Sequence, residues 1–403
     1  MRASVCLLAG LAAACAHGAP EAADPALLLH ESAIVVDGHS DTTPWLQDPD
    51  WRFDERHAEG HQDLPRMREG GLDAQFFSIY MGRTEGRGRA VREAIERIDA
   101  VHELVRRHPE ELGLATSAGD VRRIVGEGRI ACLMGVEGGH IIEDSLPVLR
   151  TFHRLGVRYM TLTHSFHTSF ADSSGTNETP EPLHHGLTPF GEEIVAEMNR
   201  LGMLVDVSHV SDDTFWHVLR VTRAPVIASH SSVRAVADHP RNMTDDMLRA
   251  LAAGGGGVMI NFSPGYIAAS LVAPIRDLFT GLMPRIAELR ERAGDDPVAL
   301  RRGYRELLRQ VEVPQAPLAV LLDHFDHAIR VAGADHVGVG ADWDGVASMP
   351  EGLEDVSRLP ALTRGLLDRG HDPETVRKVL GENLLRVLQA AEDRAAAIAA
   401  EES

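Results

Sequence analysis

The sequence predicts an α/β protein whose one large domain is a (β/α)8 barrel of the TIM type. Eight short apolar, β-branched runs alternate with longer segments in which apolar residues recur at helical spacing, which is the pattern of parallel βα units. The chain has 403 residues and is 44% hydrophobic, which suits one such barrel with a large core. The predicted strands are 33–37, 73–79, 130–136, 158–163, 204–208, 225–229, 257–261 and 336–340.

The segments between the predicted strands carry helix signals. Between 91 and 105, apolar residues recur along one helical face. Another helix is predicted to begin at Thr188, a capping residue that is followed by Pro189 in the first turn. Two more are predicted after Ser211 and Thr244, because each is followed by two aspartates, whose charge suits a helix N-terminus.

One predicted connection, 263–317 between the seventh and eighth strands, is much longer than the others. It contains charged segments of helical pattern at 282–292 and 298–311, separated by a break at 294–297 that contains glycine and proline. We interpret it as an elaborated βα connection of the barrel, serving as a lid or as a dimer contact, and not as a separate domain.

The two ends of the chain differ in character from the barrel. Residues 1–16 combine Arg2, a short apolar run and small residues, which is typical of a cleaved signal peptide and too short to span a bilayer. The run ending at Cys15 also resembles a bacterial lipoprotein signal, so an N-terminal lipid anchor and simple secretion stay open as alternatives. Both predict an exported protein of the periplasm or cell envelope. We assign 17–30 to a linker, 31–390 to a single barrel domain and 391–403 to a C-terminal tail.

Composition excludes two classes of protein. The formal net charge of −20 argues against nucleic-acid binding, which needs clustered lysine and arginine to neutralise phosphates. Beyond the predicted signal the only cysteine is Cys132, so a disulfide-stapled protein is excluded as well. Cys132 lies in an apolar run and is predicted to be a buried, unreactive side chain.

Polar residues follow the predicted strands, always at the same end. In a βα barrel the carboxyl ends of the strands meet at one mouth, where the sites of this fold lie. Six of the eight predicted strands run directly into histidine, aspartate or glutamate. The residues at these ends are His39, Asp41, Glu137, His140, His164, His209, His230, Asp342 and Asp344.

This set predicts a site for two metal ions. His39 and Asp41 are two apart on an extended segment, so both side chains project to one face and suit one ion. Imidazoles and carboxylates are the ligands that zinc takes in catalytic sites, where positions stay open for water. A pair of ions needs a bridging anion, for which the two oxygens of Glu137 are suited. Such a pair holds a hydroxide and polarises a carbonyl.

The remaining residues at the strand ends have other predicted roles. Asp342 and His164 are predicted to act in the site, the alternatives being a structural cap for Asp342 and a supporting hydrogen-bond donor for His164. Three further residues are predicted to support the structure and not to bind the ions: His140, His167 and Asp344.

The same motifs carry a resemblance to a known family. The sequence resembles the membrane (renal) dipeptidase family of zinc dipeptidases, peptidase family M19, of which bacteria carry exported members. The resemblance covers nearly the whole chain after the predicted signal, and the order and spacing of its motifs are specific. The matching stretches are DGHSD at 37–41, DLPRMREGGLDAQFFSIY at 63–80, GVEGGH at 135–140, LGVRYMTLTHS at 155–165, GLTPFG at 186–191, VDVSHVS at 205–211, APVIASHSS at 224–232, RN at 241–242, VGVGADWDG at 337–345 and GENLLRV at 381–387.

The resemblance implies an activity and a set of metal ligands. The fold it implies is the barrel of amidohydrolase-like, metal-dependent hydrolases, and the activity is hydrolysis of the peptide bond of free dipeptides. Two zinc ions per subunit are implied, with His39 and Asp41 as ligands of one ion. His209 and His230 correspond to ligands of the other ion, and Glu137 to the bridging carboxylate. The family also suggests a homodimer.

The resemblance further implies how substrate is held. His164 matches a histidine that contacts substrate near the tetrahedral centre, and Arg241 an arginine that binds the terminal carboxylate. Asp342 matches an aspartate that holds the substrate amine and is credited with proton transfer. We therefore expect a bridging hydroxide to attack the carbonyl of a dipeptide held at both charged ends, with tolerance for a D-residue in the second position.

Two alternatives to a dipeptidase stay open. One is another binuclear-zinc amidohydrolase that acts on a non-dipeptide amide or a lactone. Many of these bridge their metals by a carboxylated lysine after the fourth strand, whereas here that strand leads to His164 and the only lysine is Lys378. The other is a noncatalytic zinc- or peptide-binding relative, which the presence of every ligand and of Asp342 disfavours. Residues 167–172 replace an Asn-Thr-Pro-Trp-Ala pattern of mammalian members, which affects side-chain preference and not the metal chemistry.

Overall fold

Nine parallel strands form one sheet in the part of the chain that the structure describes. The structure is a computed structural model and describes residues 24–82, 86, 88–176, 180–294 and 296–403. The predicted signal at 1–16 therefore lies outside the described residues. The strands are β1 (Val36–Ser40), β2 (Ala74–Tyr80), β3 (Leu112–Leu114), β4 (Ile130–Glu137), β5 (Val157–Thr161), β6 (Leu204–Asp206), β7 (Ile227–Ser231), β8 (Gly257–Ile260) and β9 (Val337–Val339).

Eight of these strands close into a barrel. The sheet order runs β2-β1-β9-β8-β7-β6-β5-β4, and a further pairing of β2 with β4 closes the ring. The predicted (β/α)8 barrel is thus confirmed, and each of its eight strands overlaps a predicted one. The ninth strand, β3, pairs only with the first three residues of β4, while β5 pairs with the second half of β4. The sequence did not predict β3, because its three residues contain no β-branched side chain and show no alternation.

The register of the strands brings their carboxyl ends to one level. Tyr80 at the end of β2 pairs with Glu137, and Glu137 pairs with Thr161 at the end of β5. Thr161 in turn pairs with Asp206, the last residue of β6. Side chains at and just after these ends therefore meet at one mouth of the barrel, as this fold requires.

Helices connect and surround the strands. Thr188, Ser211 and Thr244 cap helices at the predicted positions, since each side chain accepts a hydrogen bond from the backbone N–H three residues later. Short 3-10 helices lie at Gly139–Ile142, Ala334–His336 and Val356–Arg358, and a π-helical turn at Lys378–Glu382. The α-helices are α1 (Pro25–Ser32), α2 (Thr43–Leu46), α3 (Leu64–Glu69), α4 (Arg89–Arg107), α5 (Ala118–Gly126), α6 (Leu146–Arg154), α7 (Pro189–Leu201), α8 (Asp212–Val221), α9 (Asp245–Ala253), α10 (Pro264–Ile267), α11 (Ala269–Ala293), α12 (Pro297–Leu308), α13 (Leu318–Ala332), α14 (Leu359–Asp368), α15 (Pro373–Arg377) and α16 (Asn383–Glu401).

The domain boundaries predicted at 30 and 390 fall inside helices. Helix α1 begins within the predicted linker, because Asp24 caps it and Leu29 is buried in the core. Helix α16 continues through the predicted tail, because Ala391 and Ile398 also bury apolar side chains. Among the described residues, no helix is both long and apolar enough to cross a membrane.

The core has two main layers. One apolar cluster lies between the strands and the surrounding helices and includes the predicted buried cysteine, Cys132. A second cluster joins Phe76, Leu133 and Tyr159 of the strands to Leu388 of α16. The last helix is therefore part of the barrel core and not an appendage.

The chain between β8 and β9 forms α10, α11, α12 and α13, and the break predicted at 294–297 separates α11 from α12. Helices α11 and α12 pack against each other through a small apolar cluster that includes Leu282, Ile286 and Leu307. These two helices therefore form a hairpin with an apolar cluster of its own.

Candidate active site

Three imidazoles converge on one carboxylate at the mouth of the barrel. Nε2 of His209 and Nε2 of His230 lie 3.1 and 3.3 Å from Oε1 of Glu137. Nε2 of His39 lies 3.4 Å from the other oxygen, Oε2. The rings of His39 and His230 stack with centroids 3.8 Å apart. Glu137 thus faces imidazole nitrogens with both of its oxygens: two nitrogens lie near Oε1 and one lies near Oε2.

Two further carboxylates complete the His39 side of this cluster. Oδ2 of Asp41 lies 3.9 Å and Oδ1 of Asp342 lies 4.0 Å from Nε2 of His39. The backbone joins the two segments, because Asp342 N–H donates to the His39 carbonyl at 3.1 Å. Gly345 leaves room for both carboxylates, since a Cβ at that position would overlap Oδ1 of Asp342 and Oδ2 of Asp41.

Two residues of the site adopt left-handed backbone conformations. His209 has φ 66° and Asp342 has φ 65°, in a region that non-glycine residues seldom occupy. Both come three residues after the last residue of a strand, where the chain must turn while its side chain still points into the mouth. Such backbone strain persists only where the surrounding structure holds it in place.

His164 and Arg241, the two remaining predicted residues, lie beside the cluster. Nε2 of His164 is 3.7 Å from Oε1 of Glu137, and its ring packs on those of His209 and Tyr80. Arg241 is only 3% exposed, and its Nη2 donates to the His230 carbonyl at 3.2 Å. The structure thus brings together all eight residues predicted for metal and substrate: His39, Asp41, Glu137, His164, His209, His230, Arg241 and Asp342.

The residues that were predicted to support the structure lie outside this group. Asp344 accepts hydrogen bonds from Thr42 Oγ1 and from the His61 N–H, both at 2.6 Å. His140 contacts the Met81 carbonyl, and Nδ1 of His167 accepts from the Ser173 N–H. These contacts fix loops around the mouth.

Buried partners fix the orientation of two imidazoles. Nδ1 of His39 is 2.8 Å from the Tyr159 hydroxyl, so in the tautomer that leaves Nε2 free for a metal, Nδ1–H donates to Tyr159. Nδ1 of His230 is likewise 2.8 Å from Ser229 Oγ, whose hydroxyl donates to Asp206 at 2.6 Å. Hydrogen bonds of this kind fix the tautomer and the ring orientation of metal-binding histidines.

The position of Tyr159 depends on a glycine in the neighbouring strand. A Cβ at Gly135 of β4 would overlap the Tyr159 ring, so any larger residue there would displace the ring. The first glycine of the GVEGGH motif, Gly135, is therefore explained by the close approach of an aromatic side chain that reaches the site.

The charges of the cluster favour a bound cation. Burial holds the pKa of His209 well below its ordinary value, with Arg241 adding to the effect, and burial together with His39 does the same for His230. Both imidazoles are therefore neutral, which is the form that binds metal. Burial alone would raise the pKa of Glu137, but His39 and His164 hold it well below its usual range. Burial opposes protonation of His39, yet Tyr159 and Glu137 raise its pKa well above its ordinary value, so a proton there supplies positive charge that a metal ion would replace.

The arrangement of the donor atoms also fits a metal site. Nε2 of His39 and Oδ1 of Asp41 are buried without a hydrogen-bond partner among the described residues. Three groups of possible ligands have atoms within 4.8 Å of one another: His39, Glu137 and His230; Glu137, His164 and His209; and His39, Asp41 and Asp342. Glu137 belongs to two of these groups and His39 to two, which is the overlap that neighbouring ions require. The mixture of imidazole and carboxylate suits zinc.

The cluster is open to solvent on one side only. The side chains of His164, Asp41 and Asp342 are 19%, 15% and 10% exposed, whereas those of His39 and His230 are at most 1% exposed. Two surface cavities, of about 430 and 410 Å³, contain none of the eight residues. The site is located by its converging ligand atoms and not by the size of a cavity.

Sequence reasoning missed two polar residues at the mouth. The predicted strands without an assigned residue were the second and the seventh, which correspond to β2 and β8. Tyr80 at the end of β2 packs on His164, and Nδ2 of Asn261, directly after β8, donates to Oδ2 of Asp342 at 3.0 Å. Extending the rule about strand ends to tyrosine and asparagine would have found both.

Comparison with known proteins agrees with this geometry. The sequence model of the membrane dipeptidase family, peptidase family M19, matches residues 24–402. The chain belongs to this family. Dipeptidase 3 of Mus musculus is 37% identical over 388 residues, which make up 93% of this chain and 67% of the mouse protein.

Solved structures of relatives share the fold. The probable dipeptidase PvdM from Pseudomonas aeruginosa is 26% identical with a TM-score of 0.77, over 92% of this chain and 98% of that one. A metallopeptidase from Rhodobacter sphaeroides, liganded with a phosphinate mimic of the dipeptide L-Ala-D-Ala, is 28% identical with a TM-score of 0.73, over 89% and 99% of the two chains. The protein is accordingly a metal-dependent dipeptidase with a (β/α)8 barrel fold.

Proposed function

We propose that the protein hydrolyses free dipeptides with two zinc ions at the mouth of the barrel. The observation that carries the proposal is the position of Glu137, whose two oxygens each face separate imidazole nitrogens. In this assignment His39 and Asp41 would hold one ion, His209 and His230 the other, and Glu137 would serve both. When bound, the zinc pair would supply an activated water as nucleophile and would polarise the peptide carbonyl.

The side chains around the ions have separate proposed roles in the reaction. His164 is partly exposed beside Glu137 and donates a hydrogen bond to the oxygen on which negative charge develops. Asp342 transfers a proton to the leaving amine. Its pKa is raised to about 7, mainly by burial and also by neighbouring carboxylates, so it exchanges protons near neutral pH. Asn261 orients Asp342 through the hydrogen bond to Oδ2.

Substrate length is limited by charges at both ends of the site. Arg241 is buried next to His230 and has a free Nε, and its planar guanidinium suits the terminal carboxylate. Asp342 faces His39 and holds the amine. A tripeptide would place its carboxylate beyond Arg241, and an acetylated dipeptide would bury an uncharged group against carboxylates. The proposal therefore predicts cleavage of free dipeptides only, with L-Xaa-D-Xaa among them, as the ligand of the Rhodobacter relative suggests.

The test is hydrolysis of a panel of L-Ala-L-Xaa and L-Ala-D-Xaa dipeptides, with L-Ala-L-Ala-L-Ala and N-acetyl-L-Ala-L-Ala as controls. Each is assayed before chelation, after chelation and after zinc is returned. We expect cleavage of free dipeptides alone, lost on chelation and restored by zinc. A folded, zinc-loaded protein that leaves every dipeptide intact would assign the site to another amide or to a lactone.

Glu137→Gln tests the assignment of the bridging carboxylate. The amide keeps the size of the side chain but removes the charge between the two groups of imidazoles. We expect turnover to fall by a factor on the order of a thousand or more, and the zinc content to fall below two per chain. Near-normal turnover of the variant with two bound zinc ions would contradict the assignment.

We also propose that the protein is exported and forms a homodimer. The pattern of residues 1–16 supports export, with lipidation at Cys15 as the alternative to secretion. Cell fractionation and mass spectrometry of the mature N-terminus distinguish the two, and light scattering of the purified protein measures the oligomeric state. A cytoplasmic protein with an intact N-terminus, or a monomer, would contradict the respective proposal.

A further inference from the structure

Two arginines, one buried and one half-buried, form no ion pair in the part of the chain that the structure describes. The charge of Asp41, in the proposed metal site, acts on Arg97 from a distance. Arg97 of α4 is 8% exposed, and Arg301 of α12 is half-buried. Nη1 of each is inaccessible and without a hydrogen-bond partner. Neither guanidinium makes an ion pair or a hydrogen bond with any residue that the structure describes. Burying an unpaired charge costs several kcal/mol, by order of magnitude, so an arginine in this state is suited to an anion from outside.

The neighbouring arginines differ from these two in having a carboxylate partner. The other two arginines of α12 are paired: Arg302 with Asp48 at 2.9 Å, and Arg305 with Glu59 at 2.8 Å. On α4, Arg92 likewise pairs with a glutamate one turn away. Arg305 is half-buried like Arg301, and its Nε and Nη1 are also buried without a hydrogen-bond partner, but its Nη2 binds a carboxylate. Among the described residues, no carboxylate makes such a contact with Arg97 or Arg301.

Both arginines belong to helices that pack on α2, the helix that follows Asp41 in the chain. Helix α2 begins two residues after Asp41 and packs against α4. Helix α12 sits on the same helix, because the Arg305 guanidinium lies 4.2 Å from the centre of the Trp45 ring. Arg301 lies one turn before Arg305, on the same side of α12. The two guanidiniums also act on each other, since burial and then the Arg97 charge lower the pKa of Arg301 to about 9.

The orientation proposed for the dipeptide identifies the group that reaches them. The terminal carboxylate is assigned to Arg241 beside His230, and the amine to Asp342, whose carboxylate lies next to that of Asp41 beside Gly345. The side chain of the first residue branches from the carbon that carries the amine. It is therefore the part of the substrate nearest to the segment that follows Asp41.

We propose that Arg97 and Arg301 bind the side-chain carboxylate of an acidic residue at the N-terminal position of the dipeptide. This inference rests on the proposed function and assigns a role in substrate selection to the long connection between β8 and β9, which supplies Arg301. A carboxylate between two guanidiniums makes charge-assisted hydrogen bonds that a neutral side chain of the same shape does not.

The test compares kcat/KM for L-Glu-L-Ala and L-Gln-L-Ala, which differ only in charge. We expect the wild-type protein to prefer the glutamyl substrate about ten-fold or more, as a charge-assisted hydrogen bond predicts. Arg97→Gln and Arg301→Gln should each reduce this ratio toward one while leaving cleavage of L-Gln-L-Ala within about three-fold of wild type. Arg302→Gln, the neighbouring arginine that already has carboxylate partners, should keep the full ratio.

The outcomes separate this inference from the proposed function. Cleavage of L-Gln-L-Ala at or above the rate for L-Glu-L-Ala would overturn the inference and leave the dipeptidase intact. No cleavage of either substrate by the zinc-loaded protein would overturn the proposed function itself. The wild-type comparison needs no variant, so it decides the inference even if a substitution prevents folding.

Discussion

At the scale of single residues, the site depends on groups that touch neither metal nor substrate. The Tyr159 hydroxyl is one of them, because it receives Nδ1–H of His39 and so leaves Nε2 directed at Glu137. In Tyr159→Phe, a buried N–H loses its acceptor, which costs about 1–3 kcal/mol. We expect zinc affinity to fall by about 10- to 100-fold, measured by competition with a chromogenic chelator.

The kcat at saturating zinc distinguishes an orienting role of Tyr159 from a merely structural one. If Tyr159 acts by orienting His39, the variant should recover a kcat close to that of wild type when zinc is saturating, because the hydroxyl does not contact substrate. A merely structural role would leave kcat low even then. Tyr304→Phe, in the apolar cluster between α11 and α12, is the matched control and should keep wild-type affinity. Unchanged zinc affinity in Tyr159→Phe would show that the hydroxyl does not orient His39.

At the scale of elements, the features that depend on local sequence pattern could be predicted, whereas the features that depend on contacts between distant residues could not. Helix caps such as Thr188 were predictable, because the capping side chain and its N–H donor are three residues apart. The barrel strands were predictable from their apolar runs, and the mouth from the polar residues that follow them. Tyr159 was not, because its role arises only when the closed barrel brings its hydroxyl, on β5, to His39 on the non-adjacent strand β1. The unpaired state of Arg97 and Arg301 was equally hidden, since it depends on how α12 folds back over α2.

The attachment of α13 offers a prediction at this scale. His324 of α13 is fully buried, with Nδ1 accepting from the Val233 N–H at 3.0 Å and Nε2 donating to the Ile267 carbonyl at 2.8 Å. Burial lowers its pKa to about 4, whereas an unfolded histidine titrates near 6.5. The folded pKa is depressed, so the stabilising contribution is complete above pH 6.5 and is lost as the pH falls toward 4. At pH 5 the free energy of unfolding is lower by about 2 kcal/mol from this group alone.

Urea unfolding at pH 7 and pH 5 measures this contribution. His324→Gln should be less stable than wild type at pH 7, because the glutamine cannot satisfy both backbone groups with the same geometry. Its loss of stability between pH 7 and pH 5 should be smaller by about 2 kcal/mol. Other buried histidines are common to both proteins and cancel in the comparison, and His185→Gln, at an exposed position, should keep the wild-type pH dependence. Equal losses in wild type and His324→Gln would show that His324 does not titrate in this range.

At the scale of the whole molecule, the proposed metal site would tie strands of the barrel together at its mouth. Its ligands come from β1, from the end of β4, from the turn after β6 and from β7, so a bound ion joins strands from both halves of the sequence. Without it, Asp41, Glu137 and Asp342 repel one another in a largely buried space. Ligand binding to the folded state alone adds about 4 kcal/mol at a concentration 1,000 times the dissociation constant.

Removal of zinc should therefore lower the thermal stability as well as the activity. For a barrel of this size, a loss of about 4 kcal/mol corresponds to a fall in Tm of about 5 °C, measured by differential scanning fluorimetry with and without chelator. Zinc should restore the Tm, whereas Mg²⁺ should not, because magnesium prefers oxygen ligands and the cluster supplies three imidazoles. In Glu137→Gln the shift should be smaller, since the variant lacks the ligand that we propose to be common to both ions. A Tm that does not respond to chelation, in a protein whose activity does, would mean that the barrel forms its mouth without the metal and that the ions serve the reaction alone.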